Sequence, residues 1–247
     1  MMISCWVEII GPLFLTLFQK SGKKRYNSSV FKGVCMTLTL PRQIRKVTEA
    51  RMLSDIYHDD INLCVWQRTL GKIIQEAIDL LINTQPHLQL SLRVQPHTVL
   101  ESLHREIEIT SNISPLLEDI TALVEMFCFL FDLEEAGLRL TILQEAMYPR
   151  FHVDRVPCRL ITTYRGITTQ WLPQDRVDRS KLGAGNQGLP DTASGIYQNL
   201  QHIETLNTGD VALLKGESWN ENQGGGVVHR SPQPTHEERR LLMTLDF

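Results

Sequence analysis

Residues 138–172, LRLTILQEAMYPRFHVDRVPCRLITTYRGITTQWL, decide how the chain folds. Apolar and polar residues alternate there in short runs, at 138–143, 151–153, 159–164 and 168–172. A strand turns successive side chains to opposite faces, so a period of two predicts strands. The same pattern returns downstream at 210–214, 226–230 and 240–247. Many short strands in succession predict a sandwich or barrel. The series is interrupted by the polar stretch 173–208, which contains KLGAGNQGLPD. A connection that long inside a compact domain is expected to be an insertion or a lid, with chemistry beneath it.

Upstream of residue 136 the period changes. In LGKIIQEAIDLLI (70–82), Ile73, Ile74, Ala77, Ile78, Leu81 and Ile82 recur at spacings of three and four, which predicts an amphipathic helix. Ser114 and Pro115 are suited to a helix start and open a second helix running to about Asp132, whose tail MFCFLF is apolar on every side and expected to be buried all round. One strand, INLCVW (61–66), is predicted ahead of these helices. The expectation is therefore an α+β protein in three parts. Residues 1–35 are a variable N-terminal extension, 36–135 a mainly helical region packing on the barrel, and 136–247 the strand-rich domain with its insertion at 173–208. In the first part, IIGPLFLTLF (9–18) is about half the roughly 20 apolar residues of a membrane-spanning helix and includes Pro12, so no membrane span is expected.

Composition narrows the classes of function. The 247 residues are 42% hydrophobic and 21% charged, enough to bury a core without metal or disulfide staples. With 25 Lys and Arg against 28 Asp and Glu, the formal net charge of −3 disfavours nucleic acid as a partner. The five cysteines are an odd number with no C-x-x-C pair, which points to a reducing, cytoplasmic setting and away from a cysteine-rich zinc site.

The candidate chemistry begins at His152 and Asp154 in RFHVDR, two residues apart and so on one face of a strand. A second histidine, His229, lies 75 residues later in GGGVVHRSP. Two histidines and one carboxylate fill one face of a metal and leave its other positions open, as non-heme Fe(II) oxygenases require. The plain alternative is a surface His–Asp pair and a satisfied core histidine. Arg239 and Arg240 follow His229 by ten and eleven residues. A guanidinium can grip the carboxylate of a 2-oxoacid with two parallel hydrogen bonds, although one of the pair is expected to be a solvated strand end. Other motifs say less. No G-x-S-x-G is present. The glycine run Gly224–Gly226 lacks the Lys-Ser/Thr of a phosphate loop. Lys215 is expected in solvent, Cys158 in the packing, and Trp171 and Trp219 either at a substrate mouth or at a barrel end.

The order HVD, RLITTY, TTQWL, GDVALL, VVHRSP, RRLLMTLDF resembles the strand order of prolyl-hydroxylase-like, 2-oxoglutarate-dependent oxygenases of double-stranded β-helix fold. More narrowly, FHVDRVPCRL, GDVALLKGE and VHRSP with RRLL, from about residue 60 onward, resemble a bacterial family known only as domain of unknown function 1826. The wider resemblance implies a jelly-roll, cupin-like barrel carrying a helical N-terminal part. It implies His152, Asp154 and His229 as Fe(II) ligands, Arg240 as anchor of 2-oxoglutarate with Arg239 in reserve, and Tyr164 near the same carboxylate. The substrate, a small molecule or a protein side chain, would lie under 173–208. The rival is a non-catalytic cupin-like protein holding Zn or another divalent ion for storage, delivery or sensing.

Overall fold

The computed structural model describes residues 42–107, 112–235 and 238–247; the expected extension 1–35 lies outside them. Among the described residues the large sheet has seven strands. They are β1 (Gln43–Val47), β2 (Ile61–Trp66), β3 (Gln89–Val94), β4 (Ala136–Leu143), β5 (Cys158–Arg165), β8 (Val211–Lys215) and β10 (Arg240–Asp246), in spatial order β1-β2-β8-β5-β10-β4-β3. All pairings are antiparallel except β1 with β2. A small antiparallel sheet is made of β6 (Gln170–Leu172), β7 (Glu204–Thr205) and β9 (Val228–Arg230), with β6 in the middle. The protein is thus mixed α and β with a large, mainly antiparallel sheet.

The two sheets face each other because their facing residues are apolar. Leu63, Val65, Leu143, Ile161, Ala212, Leu214 and Leu242 of the large sheet form one buried cluster with Trp171, Leu206 and Val227. Each fully buried Leu, Ile or Val there is worth about 1.5–3 kcal/mol in transfer from water. The opposite face of the large sheet meets helices. In α1 (Lys72–Thr84) the buried Ala77, Ile78, Leu81 and Ile82 make one stripe, and α3 (Ser114–Phe131) buries nine residues. Helix α1 touches β5, α3 touches β4, and the two helices touch each other. A shorter helix, α2 (Val99–Glu106), packs on α3 and β3. No described helix is long and apolar enough to cross a membrane.

Several expectations need correction. The region 36–135 supplies three strands rather than one, because β1 and β3 extend the large sheet at its two edges. The tail of α3 is not buried all round: Phe129 is 54% exposed. The segment 151–153 makes only a single bridge, His152 to His229. Residues 173–208 reach the face that bears His229 with Leu206, which joins the cluster around Trp171, but their other packed apolar side chains lie elsewhere. Their Val177, Leu182, Ile196, Tyr197 and Ile203 pack with Phe151, Leu172 and Val228, the side of the small sheet opposite to His229 and Trp171 by strand alternation. Asp191, in the one-turn helix α4 (Asp191–Ser194), fastens the segment there, accepting hydrogen bonds from Phe151 N at 3.0 Å and Arg230 Nη1 at 2.9 Å.

Candidate metal centre

His152 and His229 are brought together by the bridge between their backbones, His152 N to His229 O and His229 N to His152 O, both 3.0 Å. Antiparallel partners project to the same side, so the rings meet, with centroids 4.5 Å apart. Asp154 follows at i+2. Its backbone oxygen accepts from Glu217 N at 2.9 Å, which ties the segment to the end of β8. The residue between must be glycine, since a Cβ on Gly216 would lie 2.1 Å from Val156 O and 2.7 Å from Asp154 O.

One ligand atom from each of His152, Asp154 and His229 fits within a 4.8 Å cluster. Asp154 lies between the rings, with Oδ1 3.8 Å from His152 Nε2 and Oδ2 3.4 Å from His229 Nε2. Each histidine gives its other nitrogen to the backbone: His152 Nδ1 is 3.0 Å from Arg150 O, and His229 Nδ1 is 3.1 Å from Val227 O. A carbonyl only accepts, so Nδ1 carries a hydrogen in both rings, and Nε2 is the nitrogen each ring turns toward Asp154. Burial is the main cause that lowers the pKa of His229 to about 4; Asp154 opposes it and His152 adds to it. The ring is therefore neutral at pH 7, the form that binds metal. Two imidazole nitrogens and a carboxylate oxygen with fixed tautomers fit a divalent transition metal.

Asp154 Oδ2 is buried and accepts no aligned hydrogen bond, but Arg159 Nη1 lies 2.9 Å from it as an ion pair. Arg159 Nη2 donates to Asp246 Oδ2 at 2.9 Å, and Arg139 Nη1 donates to the same oxygen at 2.7 Å. Arg159, Asp246 and Arg139 had no distinguishing motif. Their meeting depends on the register of β10 between β4 and β5; parity with Thr163 along β5 would have indicated only that Arg159 faces inward.

Arg240 is fully buried, and its guanidinium is held by hydroxyls alone. Nη1 donates to Ser231 Oγ at 2.7 Å, and Nη2 donates to Thr169 Oγ1 at 2.7 Å and Thr163 Oγ1 at 3.1 Å, while Nε has no partner. Among the described residues no carboxylate makes an ion pair with it. Burial lowers its pKa to about 10. Trp171 pairs with His229 in the small sheet, and Thr169 and Ser231 are the next residues along on the same face. Two residues of strand are roughly 7 Å, so the cation is anchored about that far along the sheet from His229. Arg239 faces the helices and donates to Ile82 O at 3.3 Å.

Tyr164 is not beside Arg240, contrary to the resemblance. It is buried on the helix-facing side, where its hydroxyl donates to Asp119 Oδ2 at 2.6 Å. Plain alternation accounts for this: Thr163 shares the inward face with Ile161, so Tyr164 falls on the helix side, and the register of β5 against β10 shifts only on reaching Arg165. Lys215 is also inside, donating to His58 O at 2.9 Å with its ammonium 4.7 Å from the Trp219 ring; burial lowers its pKa to about 8. Trp219 packs on Tyr57 and Phe131, so neither residue enters the site.

Beyond the small sheet, the inner face of the large sheet stays open at its β4–β3 end. A groove of about 620 Å³ there is lined by Gln89, Ser91, Arg139, Thr141, Leu143 and Met147, among others. Tyr148, the residue after Met147, packs on His152 with ring centroids 5.3 Å apart.

Fold and site together define a mixed α/β protein with a two-histidine, one-carboxylate constellation between two sheets. The family model described as "Protein of unknown function (DUF1826)" matches residues 48–246, and the chain belongs to that family. No curated protein sequence matches it. Similar solved structures include a rice dioxygenase for auxin oxidation, with TM-score 0.47 and 8% identity over 83% of this chain and 82% of that one. A Pseudomonas putida prolyl-4-hydroxylase gives 0.43 and 11%, covering 80% and 97%. The Fe(II)/α-ketoglutarate-dependent dioxygenase TqaL gives 0.36 and 12%, covering 71% and 74%.

Proposed function

We propose that this protein is a non-heme Fe(II), 2-oxoglutarate-dependent oxygenase, with His152, Asp154 and His229 as ligands and Arg240 as the co-substrate anchor. One observation carries the reading: a cation buried without a carboxylate partner lies a short step along the sheet from an open metal-ligand set. A buried charge is costly unless paired, and a dicarboxylate that reaches the metal with one end would pair it with the other. A bidentate guanidinium–carboxylate contact also fixes the co-substrate's direction. Hydroxyls of Ser231, Thr163 and Thr169 already hold the fork in place.

On this reading the two facing sheets are a double-stranded β-helix. The helices of 36–135 pack on its outer face, and the strands of that region widen the large sheet. Iron and 2-oxoglutarate, when bound, supply the oxidising power with dioxygen. The chain orients both, excludes water with Trp171, Leu206 and Val227, and admits a substrate, a small molecule or a protein side chain, along the β4–β3 groove. The free, buried Cys64, Cys128 and Cys158 suit a cytoplasmic setting.

The test is anaerobic. Fe(II)-loaded protein mixed with 2-oxoglutarate should develop a visible charge-transfer band, and Arg240→Ala should keep iron while losing the band at moderate co-substrate concentration. Stoichiometric metal with no band at any concentration would instead favour the non-catalytic metal-binding protein. Failure of the wild type to bind Fe(II), Co(II) or Zn(II) would sink both.

A further inference from the structure

Arg159 sits against one oxygen of the ligand carboxylate. Its Nη1 is 2.9 Å from Asp154 Oδ2, and its Nη2 donates at 2.9 Å to Asp246 Oδ2. Asp246 is itself fixed, because Arg139 donates to the same oxygen at 2.7 Å and Asp246 Oδ1 lies against Gly137, where a Cβ would come within 2.6 Å. Asp246 is buried and Arg159 is 18% exposed in its side chain, so the guanidinium is anchored rather than free to rotate away. A planar fork tied at one tine to a fixed carboxylate keeps its other tine in place.

We propose that Arg159 is a positioning residue that limits Asp154 to a single-oxygen ligand and so reserves metal positions for the co-substrate. This rests on the functional reading above. A carboxylate with both oxygens free can take two adjacent positions on a metal, and a 2-oxoacid needs two adjacent positions of its own. Holding Oδ2 by charge prevents that competition. The same cation also draws electron density from Asp154, so its removal strengthens the carboxylate as a donor. The expected signature is a split: without Arg159, metal binding holds or tightens while co-substrate binding weakens. A merely structural role would weaken both.

The experiment uses the full chain and Arg159→Met, which keeps length and apolar bulk, beside Arg159→Lys, which keeps charge but offers no fork. Metal affinity is read by titration with Co(II), whose visible spectrum also reports coordination number. Co-substrate affinity is read from the anaerobic Fe(II) charge-transfer band. We expect Arg159→Met to bind Co(II) at least as tightly as wild type and to need roughly tenfold more 2-oxoglutarate for half the band, within the usual range for groups behind a ligand. Arg159→Lys should fall between them. Gly137→Ala, which touches neither metal nor co-substrate but pushes on Asp246, should shift the band in the same direction by less. Loss of Co(II) affinity in Arg159→Met together with co-substrate affinity overturns the proposal, as does an unchanged 2-oxoglutarate requirement. If wild type binds Co(II) but shows no band, the functional reading fails first. The Co(II) spectrum still decides then, because an unchanged coordination number in Arg159→Met rejects the clamp.

Discussion

On the two sides of the large sheet an arginine is held in opposite states, Arg240 fully buried and Arg68 with 12% of its side chain exposed. On the helix-facing side Arg68 is met by Asp119 through two hydrogen bonds, 2.6 and 2.9 Å, and Tyr164 closes the set. Burial alone would lower the pKa of Arg68, but the hydrogen bonds and charge of Asp119 outweigh it and raise it overall. On the inner face Arg240 has hydroxyls for partners and a pKa lowered to about 10. Both cations are enclosed, yet only one is balanced. The difference separates a cation that holds helices to a sheet from one that awaits an anion.

The comparison can be broken most severely at the metal. His229→Ala should abolish metal retention while leaving Arg68 and Asp119 paired, read by elemental analysis of protein purified without chelator. Full metal content in both His229→Ala and His152→Ala would end the metal assignment. Next in size, Asp119→Ala strands the Arg68 charge and should destabilise the fold by about 3–5 kcal/mol in denaturant unfolding, with metal content per folded molecule unchanged.

Arg240→Met should show the opposite behaviour. Replacing an unbalanced buried cation by an apolar chain of similar length is expected to leave stability unchanged or raise it by about 1 kcal/mol. Meanwhile 2-oxoglutarate, which should raise the melting temperature of metal-loaded wild type, should no longer do so. A large loss of stability in Arg240→Met would make the two arginines alike. The smallest effect concerns acid. Unfolded His229 takes up a proton near pH 6.5, whereas the folded ring stays neutral down to about 4. The unfolded state therefore binds more protons in that window, so apo wild type should lose stability as pH falls from 6.5 toward 4. His229→Ala should show a shallower slope in the same titration.

Much of this architecture was legible because burial leaves long apolar runs. VALLK, CRLITTYR and RLLMTLD read as strands from their pattern, and LGKIIQEAIDLLI reads as a helix from its stripe. Two strands were missed: the edge strand QIRKV is mostly exposed and polar and shows no clear period, whereas QLSLRV does alternate, with Leu90, Leu92 and Val94 between Pro86 and Pro96, a strand pattern lying amid helical segments. At the site, His152, Asp154 and His229 stood out by spacing, whereas Arg159, Asp246 and Arg139 did not. Their partnership spans 87 and 107 residues and exists only through strand register. Tyr164 was placed near Arg240 by resemblance alone, whereas the alternation of β5, with Ile161 and Thr163 inward, puts it on the helix side.

The position of β10 has a kinetic consequence. It lies between β4 and β5, whose paired residues precede it by 97–109 and 76–85 positions, and it presents Arg240 and Asp246 at opposite ends of one strand. Until it inserts, β4 and β5 each expose a bare edge in mid-sheet. Loop closure over such separations is slow, and unpaired edges invite aggregation. Refolding should therefore be rate-limited by a late zippering step, with affinity for ligand returning only after it.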